Sequence, residues 1–278
     1  MSLRALDSYP EQEPFSEIGA KYHVRVQELG AGISGDAFAY GDDPYQEVAV
    51  FAAPRPNGNV VAFMHGGGWT NGYKEWMAFM APPLTAAGIT FVSMGYRLAP
   101  RVTWPAGVED AAAGIAWVHQ NIGRFGGDPR RIFVGGHSAG GHHAAWLAVR
   151  SDWQARVDVP ADVIAGALPV SGVFDFTEGN GMPARPRFLG ENSANDRDAS
   201  PIHTIANTPP FLIAWGERDF PHLIVQAERM ADALRDAGAA VETLCLDAAD
   251  HLGASYACGD SHGVWLSSLV NWIKHYLR

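Results

Sequence analysis

Residues 131–149 constrain the fold more than any other stretch of this chain. They spell R-I-F-V-G-G-H-S-A-G-G-H-H-A-A-W-L-A-V, with Ser138 near the centre. Residues 132–134 form a short apolar run typical of a buried strand, and residues 144–149 form an apolar run that fits a buried helix. The G-x-S-x-G pattern of residues 136–140 lies between them. A strand that turns into a helix at a serine is therefore predicted, which is a nucleophile elbow.

The glycines of this motif have a steric explanation. A turn from strand to helix within one residue crowds the backbone, so Gly136 and Gly140 avoid Cβ atoms where there is no room for them. Such a turn would expose Ser138 at the N-terminus of the helix, where free backbone N–H groups stabilise developing negative charge. The same pattern also occurs in ordinary loops, so the prediction depends on matching features elsewhere in the chain.

Strands and helices are predicted to alternate along the sequence. Strands are expected at residues 47–51, 60–64, 89–94, 132–134, 163–171, 211–215 and 241–246, and helices at 76–87, 107–122, 144–149, 223–237 and 264–277. This order predicts a mostly parallel sheet with helices on both faces and a site at the carboxyl ends of the strands. Strand 47–51 is expected to be half-exposed and to form a hairpin with strand 60–64.

The 278 residues are expected to form a single domain, since a domain of this size buries about 75% of its unfolded surface in one core. Residues 1–40 show no clear periodicity and are predicted to be an arm laid over the domain. Residues about 174–207 also lack periodicity, and loops of that length usually carry function. We expect them to form a small cap over the site, although an irregular connection is an open alternative.

A catalytic triad is predicted around Ser138, because a serine hydroxyl needs an imidazole to take its proton and a carboxylate to orient that imidazole. Asp219 and His251 each follow a predicted strand, in the order serine, acid, histidine. Other residues could fill these roles on sequence alone. The rival bases are His203, His222 and His262, and the rival acids are Asp175, Glu217 and Asp250.

The glycines after strand 60–64 supply the remaining part of the predicted site. In His65-Gly66-Gly67-Gly68 the backbone N–H groups can approach an oxyanion without interference from side chains. Gly66 and Gly67, with the N–H of Ala139, are predicted to form the oxyanion hole. The substrate pocket is expected to be lined by His65, Trp69, Tyr73 and His142.

No metal ion or other cofactor is expected. His137, His142 and His143 form a histidine cluster, but their spacing places only some of them on one helical face and supplies no carboxylate. Packing or pocket lining is the favoured explanation for these side chains.

The charge and cysteine content of the chain limit its expected partners and its expected compartment. The formal net charge is −10 without any block of Lys or Arg, which argues against nucleic acid and anionic membranes as partners. Cys245 and Cys258 are expected to be free thiols, because two cysteines make no disulfide framework. Neither a signal peptide nor a membrane span is expected, so a cytoplasmic protein is predicted. A homodimer is compatible with the sequence, which does not fix the oligomeric state.

Four motifs together resemble a known family. They are H-G-G-G-W at 65–69, Y-R-L-A-P at 96–100, F-G-G-D-P at 125–129 and G-H-S-A-G-G at 136–141. Residues 45–278 thereby resemble the α/β-hydrolase superfamily, in its branch of hormone-sensitive-lipase-like esterases. This resemblance implies an α/β-hydrolase fold.

A narrower resemblance is to kynurenine formamidase (arylformamidase). It rests on A-F-M-A-P-P-L-T-A-A-G at 78–88, S-A-G-G-H ending at His142, V-S-G-V-F-D at 170–175, and D-F-P at 219–221 with Gln226 behind it. That family's triad falls on Ser138, Asp219 and His251. The chain departs from the family pattern at Gly68, His222 and Leu223, and its Y-R-L-A-P is the esterase form.

The expected function is that of a metal-free serine hydrolase that works through an acyl-enzyme. The resemblance implies a small aryl formamide such as N-formylkynurenine as substrate. The alternative substrate is a short-chain carboxylic ester. An alternative from a different functional class is a ligand-binding protein built on an inactive hydrolase scaffold.

Overall fold

A computed structural model describes residues 3–177 and 185–276 and contains an eight-stranded sheet. The strands are β1 (Asp36–Ala39), β2 (Glu47–Phe51), β3 (Gly58–Met64), β4 (Thr90–Met94), β5 (Gly127–His137), β6 (Ile164–Val170), β7 (Phe211–Arg218) and β8 (Val241–Asp250). Their order is β1-β2-β4-β3-β5-β6-β7-β8. Strands β4, β3, β5, β6, β7 and β8 run parallel, and β1 and β2 are joined by antiparallel pairing. The predicted mostly parallel sheet is confirmed.

Helices cover both faces of this sheet. The α-helices are α1 (Glu17–Gly30), α2 (Ala81–Ala86), α3 (Ala106–Asn121), α4 (Ala139–Val149), α5 (Arg185–Leu189), α6 (Ala194–Ala199), α7 (Pro221–Asp236), α8 (His251–Ala257) and α9 (Val264–Tyr276). Short 3₁₀ helices include Lys74–Met80 and Pro201–His203. Most residues of β3, β4, β6 and β7 are buried, whereas the edge strand β8 is largely exposed, so the middle of the sheet is apolar on both faces.

The sheet separates two hydrophobic cores, and β2 shows how alternate residues contribute to each. Val48 and Val50 belong to the core that contains α3 and α4, whereas Ala49 and Phe51 belong to the core on the opposite face. All residues of β2 are buried. The prediction of a half-exposed strand is wrong because its alternating sequence faces two covered surfaces.

The predicted hairpin between strands 47–51 and 60–64 is also wrong. Strand β2 pairs antiparallel with β1 and β4, and β3 lies between β4 and β5 in parallel register. The turn at residues 52–57 therefore carries the chain past β4 instead of joining neighbouring strands. The antiparallel neighbour that β2 has along the chain is β1.

The N-terminal segment is more regular than its sequence suggested. It contains α1 and β1, where an aperiodic arm was expected. Ser16 caps α1 by accepting a hydrogen bond from the N–H of Gly19 at 3.1 Å, and Tyr22 and Val26 bury one face of the helix. The four-residue spacing of Ile18, Tyr22 and Val26 was the available signal for a helix. It is a weak signal, because only Tyr22 and Val26 are buried.

Two other segments refine the predicted elements. The expected helix 76–87 is split into a 3₁₀ helix and α2, because Pro82 and Pro83 cannot continue a helix but can start one.

The expected cap, residues 174–207, contains α5 and α6, and its residues 178–184 lie outside the described residues. Phe188 of α5 stacks on Trp69 with ring centroids 4.5 Å apart. The role of this segment as a cap stays a prediction.

The elbow packs directly on the end of β3. A Cβ on Gly140 would lie 2.2 Å from the carbonyl oxygen of Met64 and 2.6 Å from that of His65. A Cβ on Gly136 would lie 2.2 Å from the carbonyl carbon of Gly140. These are backbone atoms that cannot move aside, so both glycines are required for α4 to start where it does.

We expect Gly140→Ala to lower the free energy of unfolding by about 3 kcal/mol, because the new methyl group overlaps the end of β3. Urea unfolding followed by tryptophan fluorescence measures this change. Gly123→Ala is the matched control, since a Cβ there meets nothing within 4 Å. Equal stability of the two variants would contradict the packing described for the elbow.

Candidate active site

The nucleophile elbow places Ser138 between β5 and α4 with strained backbone angles, φ 54° and ψ −115°. A positive φ is unfavourable for a residue with a Cβ and persists where surrounding structure enforces it. The N–H of Ser138 donates to the carbonyl of Val170 at 2.9 Å. The N–H of Ala139, the first residue of α4, belongs to the first turn, whose N–H groups have no acceptor within the helix.

Asp219 and His251 are joined at the carboxyl ends of neighbouring strands. Asp219 follows β7 and His251 follows β8, and His251 Nδ1 donates to Asp219 Oδ1 at 2.8 Å. The carboxylate is inaccessible to solvent, whereas the imidazole is 12% exposed. This pairing leaves His251 Nε2 as the nitrogen available to accept a proton in the neutral ring.

The charge of Asp219 is stabilised despite its burial. Burial raises the pKa of this carboxyl, but the hydrogen bond and charge interaction with His251 and the N–H of Phe220 together bring the pKa below its usual value. The N–H of Phe220 lies 2.7 Å from Asp219 Oδ1. Asp219 is therefore ionised at neutral pH and can stabilise a protonated His251.

The rival acids and bases have other partners or positions. Asp175 Oδ1 lies 3.2 Å from His203 Nε2, so two rivals pair with each other. Asp250 accepts from the N–H of Gly253 at 2.7 Å and caps α8. Glu217 accepts from the N–H of Ala248 at 2.8 Å.

The two remaining rival bases differ from each other in position. His262 is exposed after α8. His222 lines the same cavity as Ser138. His222 is therefore near the predicted triad, but the histidine that forms a hydrogen bond with Asp219 is His251.

The predicted oxyanion loop lies against the nucleophile. A Cβ on Gly66 would be 3.3 Å from Ser138 Cβ, which shows how closely the two backbones approach. Gly67 has φ 115°, and a Cβ there would lie 2.0 Å from the carbonyl oxygen of Asn71. Glycine is therefore required at position 67 by both its backbone angle and its surroundings.

A cavity of about 490 Å³ opens above Ser138. Its described lining contains Pro14, Phe15, Ser16, Ile18, Gly19, Tyr22, Gly67, Gly68, Trp69, Thr70, Asn71, Trp76, His137, Ser138, Val173, Arg187, Phe220, His222, Leu223, His251 and Leu252. Arg187 Nη1 pairs with Glu13 Oε2 at 2.8 Å, which joins α5 to the N-terminal segment. The cavity is mainly aromatic and aliphatic, as ligand pockets usually are.

Of the four predicted pocket residues, Trp69 lines this cavity. His65, Tyr73 and His142 do not belong to its described lining, so for them the structure differs from the prediction. His142 is fully buried, accepts from Trp69 Nε1 at 3.2 Å and donates from Nε2 to the carbonyl of Ala199 at 2.8 Å. It connects α4 to the oxyanion loop and to α6, which explains its burial.

His65 and Tyr73 pack elsewhere. His65 stacks on Tyr96 with ring centroids 4.4 Å apart. The ring of Tyr73 packs on that of Tyr9, with centroids 4.9 Å apart. The cavity wall that sequence reasoning missed comes mainly from α1 and the residues just before it. Phe15 and Ile18 belong to that wall.

Within residues 3–177 and 185–276, no group of three or more histidine, cysteine, aspartate or glutamate side chains could hold a metal ion. Over the same part of the chain, no helix combines the length and apolar character that a bilayer-spanning segment needs. Cys245 is exposed and Cys258 buried, and both are free thiols.

A mostly parallel sheet with a nucleophile elbow, followed along the chain by an acid and a histidine at strand ends, defines an α/β-hydrolase fold. A family model described as alpha/beta hydrolase fold, Abhydrolase_3, matches residues 61–254. The chain belongs to this family, as its motifs predicted.

Relatives and solved structures agree with this assignment. Esterase LipC of Mycobacterium tuberculosis is 33% identical over 220 residues, which cover 70% of this chain and 54% of LipC. Esterase LipQ of the same organism is 34% identical over 204 residues, which cover 68% of this chain and 48% of LipQ. The chain thus spans about half the length of these relatives.

Among solved structures, a bacterial heroin esterase superposes with a TM-score of 0.75 at 25% identity, covering 98% of this chain and 96% of that one. The predicted closeness to kynurenine formamidase is not shown by these comparisons, in which the relatives named are esterases.

We expect Asp219→Asn to reduce kcat by about 10⁴-fold, because an amide leaves His251 in the wrong tautomer and its imidazolium unpaired. Asp175→Asn is the matched control, and its kcat should stay within about threefold of the original, since Asp175 binds Thr177 and His203. Steady-state kinetics on p-nitrophenyl butyrate measures both. A larger loss of kcat in Asp175→Asn than in Asp219→Asn would mean that the acid follows β6 and not β7.

Buried neutral histidines make the fold sensitive to acid. Burial lowers the pKa of His65 and of His142 to about 4. The unfolded chain binds these protons near pH 6.5 and the folded chain does not, so stability is complete above pH 6.5 and falls as the pH approaches 4. Each such histidine contributes a slope of about 1.4 kcal/mol per pH unit in that window.

We therefore expect the urea midpoint to fall between pH 7 and pH 5, and His142→Gln to show a shallower fall. His262→Gln, at an exposed position, should keep the original pH dependence. A midpoint that does not change over this interval would mean that the buried histidines take up protons in the folded protein as readily as in the unfolded chain.

Proposed function

We propose that this chain is a metal-free serine carboxylesterase that acts on small uncharged esters through an acyl-enzyme. The observation that carries the proposal is that Ser138 and His251 line one cavity while Asp219 holds His251 at 2.8 Å. The relatives named as esterases support the reaction class.

In the proposed mechanism each step is carried out by a named residue. Ser138 Oγ attacks the ester carbonyl carbon while His251 Nε2 takes the hydroxyl proton, and Asp219 stabilises the imidazolium that forms. The carbonyl oxygen becomes an oxyanion, which accepts hydrogen bonds from the backbone N–H groups of Gly66, Gly67 and Ala139. His251 then gives its proton to the leaving alcohol oxygen as the carbon–oxygen bond breaks.

Water completes the cycle. His251 Nε2 removes a proton from the water molecule that attacks the acyl carbon of the Ser138 ester. Collapse of the second oxyanion releases the carboxylic acid and returns the proton to Ser138. No step requires a group from outside the chain other than ester and water.

The cavity favours an uncharged ligand. Its described lining contributes no carboxylate, and Arg187, its one Lys or Arg side chain, is paired with Glu13. Phe15, Trp69 and Phe220 offer aromatic surface to the organic groups of an ester. An aryl formamide fits the same triad chemistry, and the comparisons lend it no support of their own.

We expect kcat/KM for p-nitrophenyl acetate or butyrate to exceed that for N-formyl-L-kynurenine by more than about tenfold, a difference of about 1.4 kcal/mol in transition-state binding. Purified protein is assayed on all three substrates beside Ser138→Ala. A fluorophosphonate probe should label the original protein and leave the Ser138→Ala variant unlabelled.

Three outcomes contradict the proposal in different ways. A preference for the formamide would make this an arylformamidase. Substantial ester turnover by Ser138→Ala would remove the serine from the mechanism. No turnover and no labelling in the original protein would indicate a ligand-binding protein on a hydrolase scaffold.

A further inference from the structure

His137, the residue before the nucleophile, contacts the catalytic histidine in two ways. Its Nε2 lies 2.8 Å from the carbonyl oxygen of His251, and the two rings are 4.7 Å apart between centroids. Because a carbonyl oxygen only accepts, Nε2 of His137 carries the proton. Nδ1 of His137 is then a bare acceptor, and it is buried with no hydrogen-bond partner among the residues that the structure describes.

The surroundings of His137 favour its neutral form. Protonation would place an unpaired buried N–H donor at Nδ1 and a second positive charge beside the imidazolium of His251. Burial and the neighbouring His251 lower the pKa of His137 to about 3. His137 therefore keeps one tautomer and one charge while His251 gains and loses its proton.

Tyr22 of α1 supports this arrangement from the other side. Its ring stacks on His137 with centroids 6.0 Å apart and planes 24° apart. Its hydroxyl lies 2.8 Å from Ser255 Oγ. Ser255 is one turn beyond His251 in α8, so Tyr22 contacts both the helix that begins with His251 and the residue that holds its carbonyl.

Phe220 completes the surroundings of the catalytic imidazole. Its ring lies 4.9 Å from that of His251. His251 thus has a ring contact with His137, a ring contact with Phe220 and a hydrogen bond to Asp219. Its remaining nitrogen, Nε2, is the one that the proposed reaction uses.

We propose that His137 is a positioning residue for His251, and that Tyr22 of the N-terminal helix holds His137 in place. The proposal rests on the proposed hydrolase function, because it concerns the same histidine. Its consequence is that the N-terminal helix contributes to the rate of the chemical step as well as to the wall of the cavity.

The test compares His137→Phe, which keeps an aromatic ring and loses the donor, with His137→Gln, whose amide N–H₂ reaches the position of Nε2. Tyr22→Leu removes the stacked ring. Val24→Ala is the control on the same helix, because Val24 is 56% exposed. Titration with a fluorophosphonate counts the competent sites in each preparation, so misfolded protein does not enter kcat.

We expect kcat per titrated site to fall about 10- to 100-fold in His137→Phe and less in Tyr22→Leu, with KM within about threefold, since small misplacement of a catalytic group costs rates of this order. His137→Gln should recover most of the lost rate. The far-downfield proton signal of the His251–Asp219 hydrogen bond should weaken or shift in His137→Phe and stay in Val24→Ala.

Equal kcat per site in His137→Phe and the original protein would overturn the proposal, and so would an equal loss in His137→Gln. An original protein that neither cleaves p-nitrophenyl butyrate nor reacts with the fluorophosphonate would instead contradict the proposed function. In that case the downfield proton signal still decides whether His137 positions His251, because it requires no substrate.

Discussion

The contact between the elbow and the end of β3 is the constraint on which the site depends. With glycine at 136 and 140, α4 begins against the carbonyls of Met64 and His65. This close approach places the N-terminus of α4 beside the loop that follows β3. The nucleophile and the loop that faces its oxyanion are therefore positioned by one packing contact. A single methyl group at this contact disturbs the fold and the chemistry together.

The rest of the site follows from the direction of the strands. Strands β5, β7 and β8 run parallel in the sheet, so the residues after their carboxyl ends share one rim. Ser138, Asp219 and His251 are these residues. Their separation along the chain is large, and their meeting depends on the two cores that fix the sheet.

The predicted triad could be placed because Ser138, Asp219 and His251 each come soon after a predicted strand, in the order serine, acid, histidine. The pairing of Asp175 with His203 could not be predicted, since Asp175 also comes after a strand and the sequence does not show that His203 lies within reach of it. The steric need for glycine at Gly67 agrees with its predicted place in a tight loop, whereas the burial of His142 depends on Ala199, which is distant in sequence. Helix α1 was missed because its buried face is narrow, and the cavity wall was missed with it.

Helix α1 lies outside residues 61–254, the part of the chain that the family model matches. Part of the cavity wall, and the tyrosine that stacks on His137, are thus encoded outside the part of the chain that the family model matches. Changes within residues 3–30 can alter which molecules enter without touching the triad, so relatives with the same core motifs can diverge in substrate range. In such a chain the segment from Pro14 to Tyr22 can vary one wall of the cavity while the signature motifs stay unchanged.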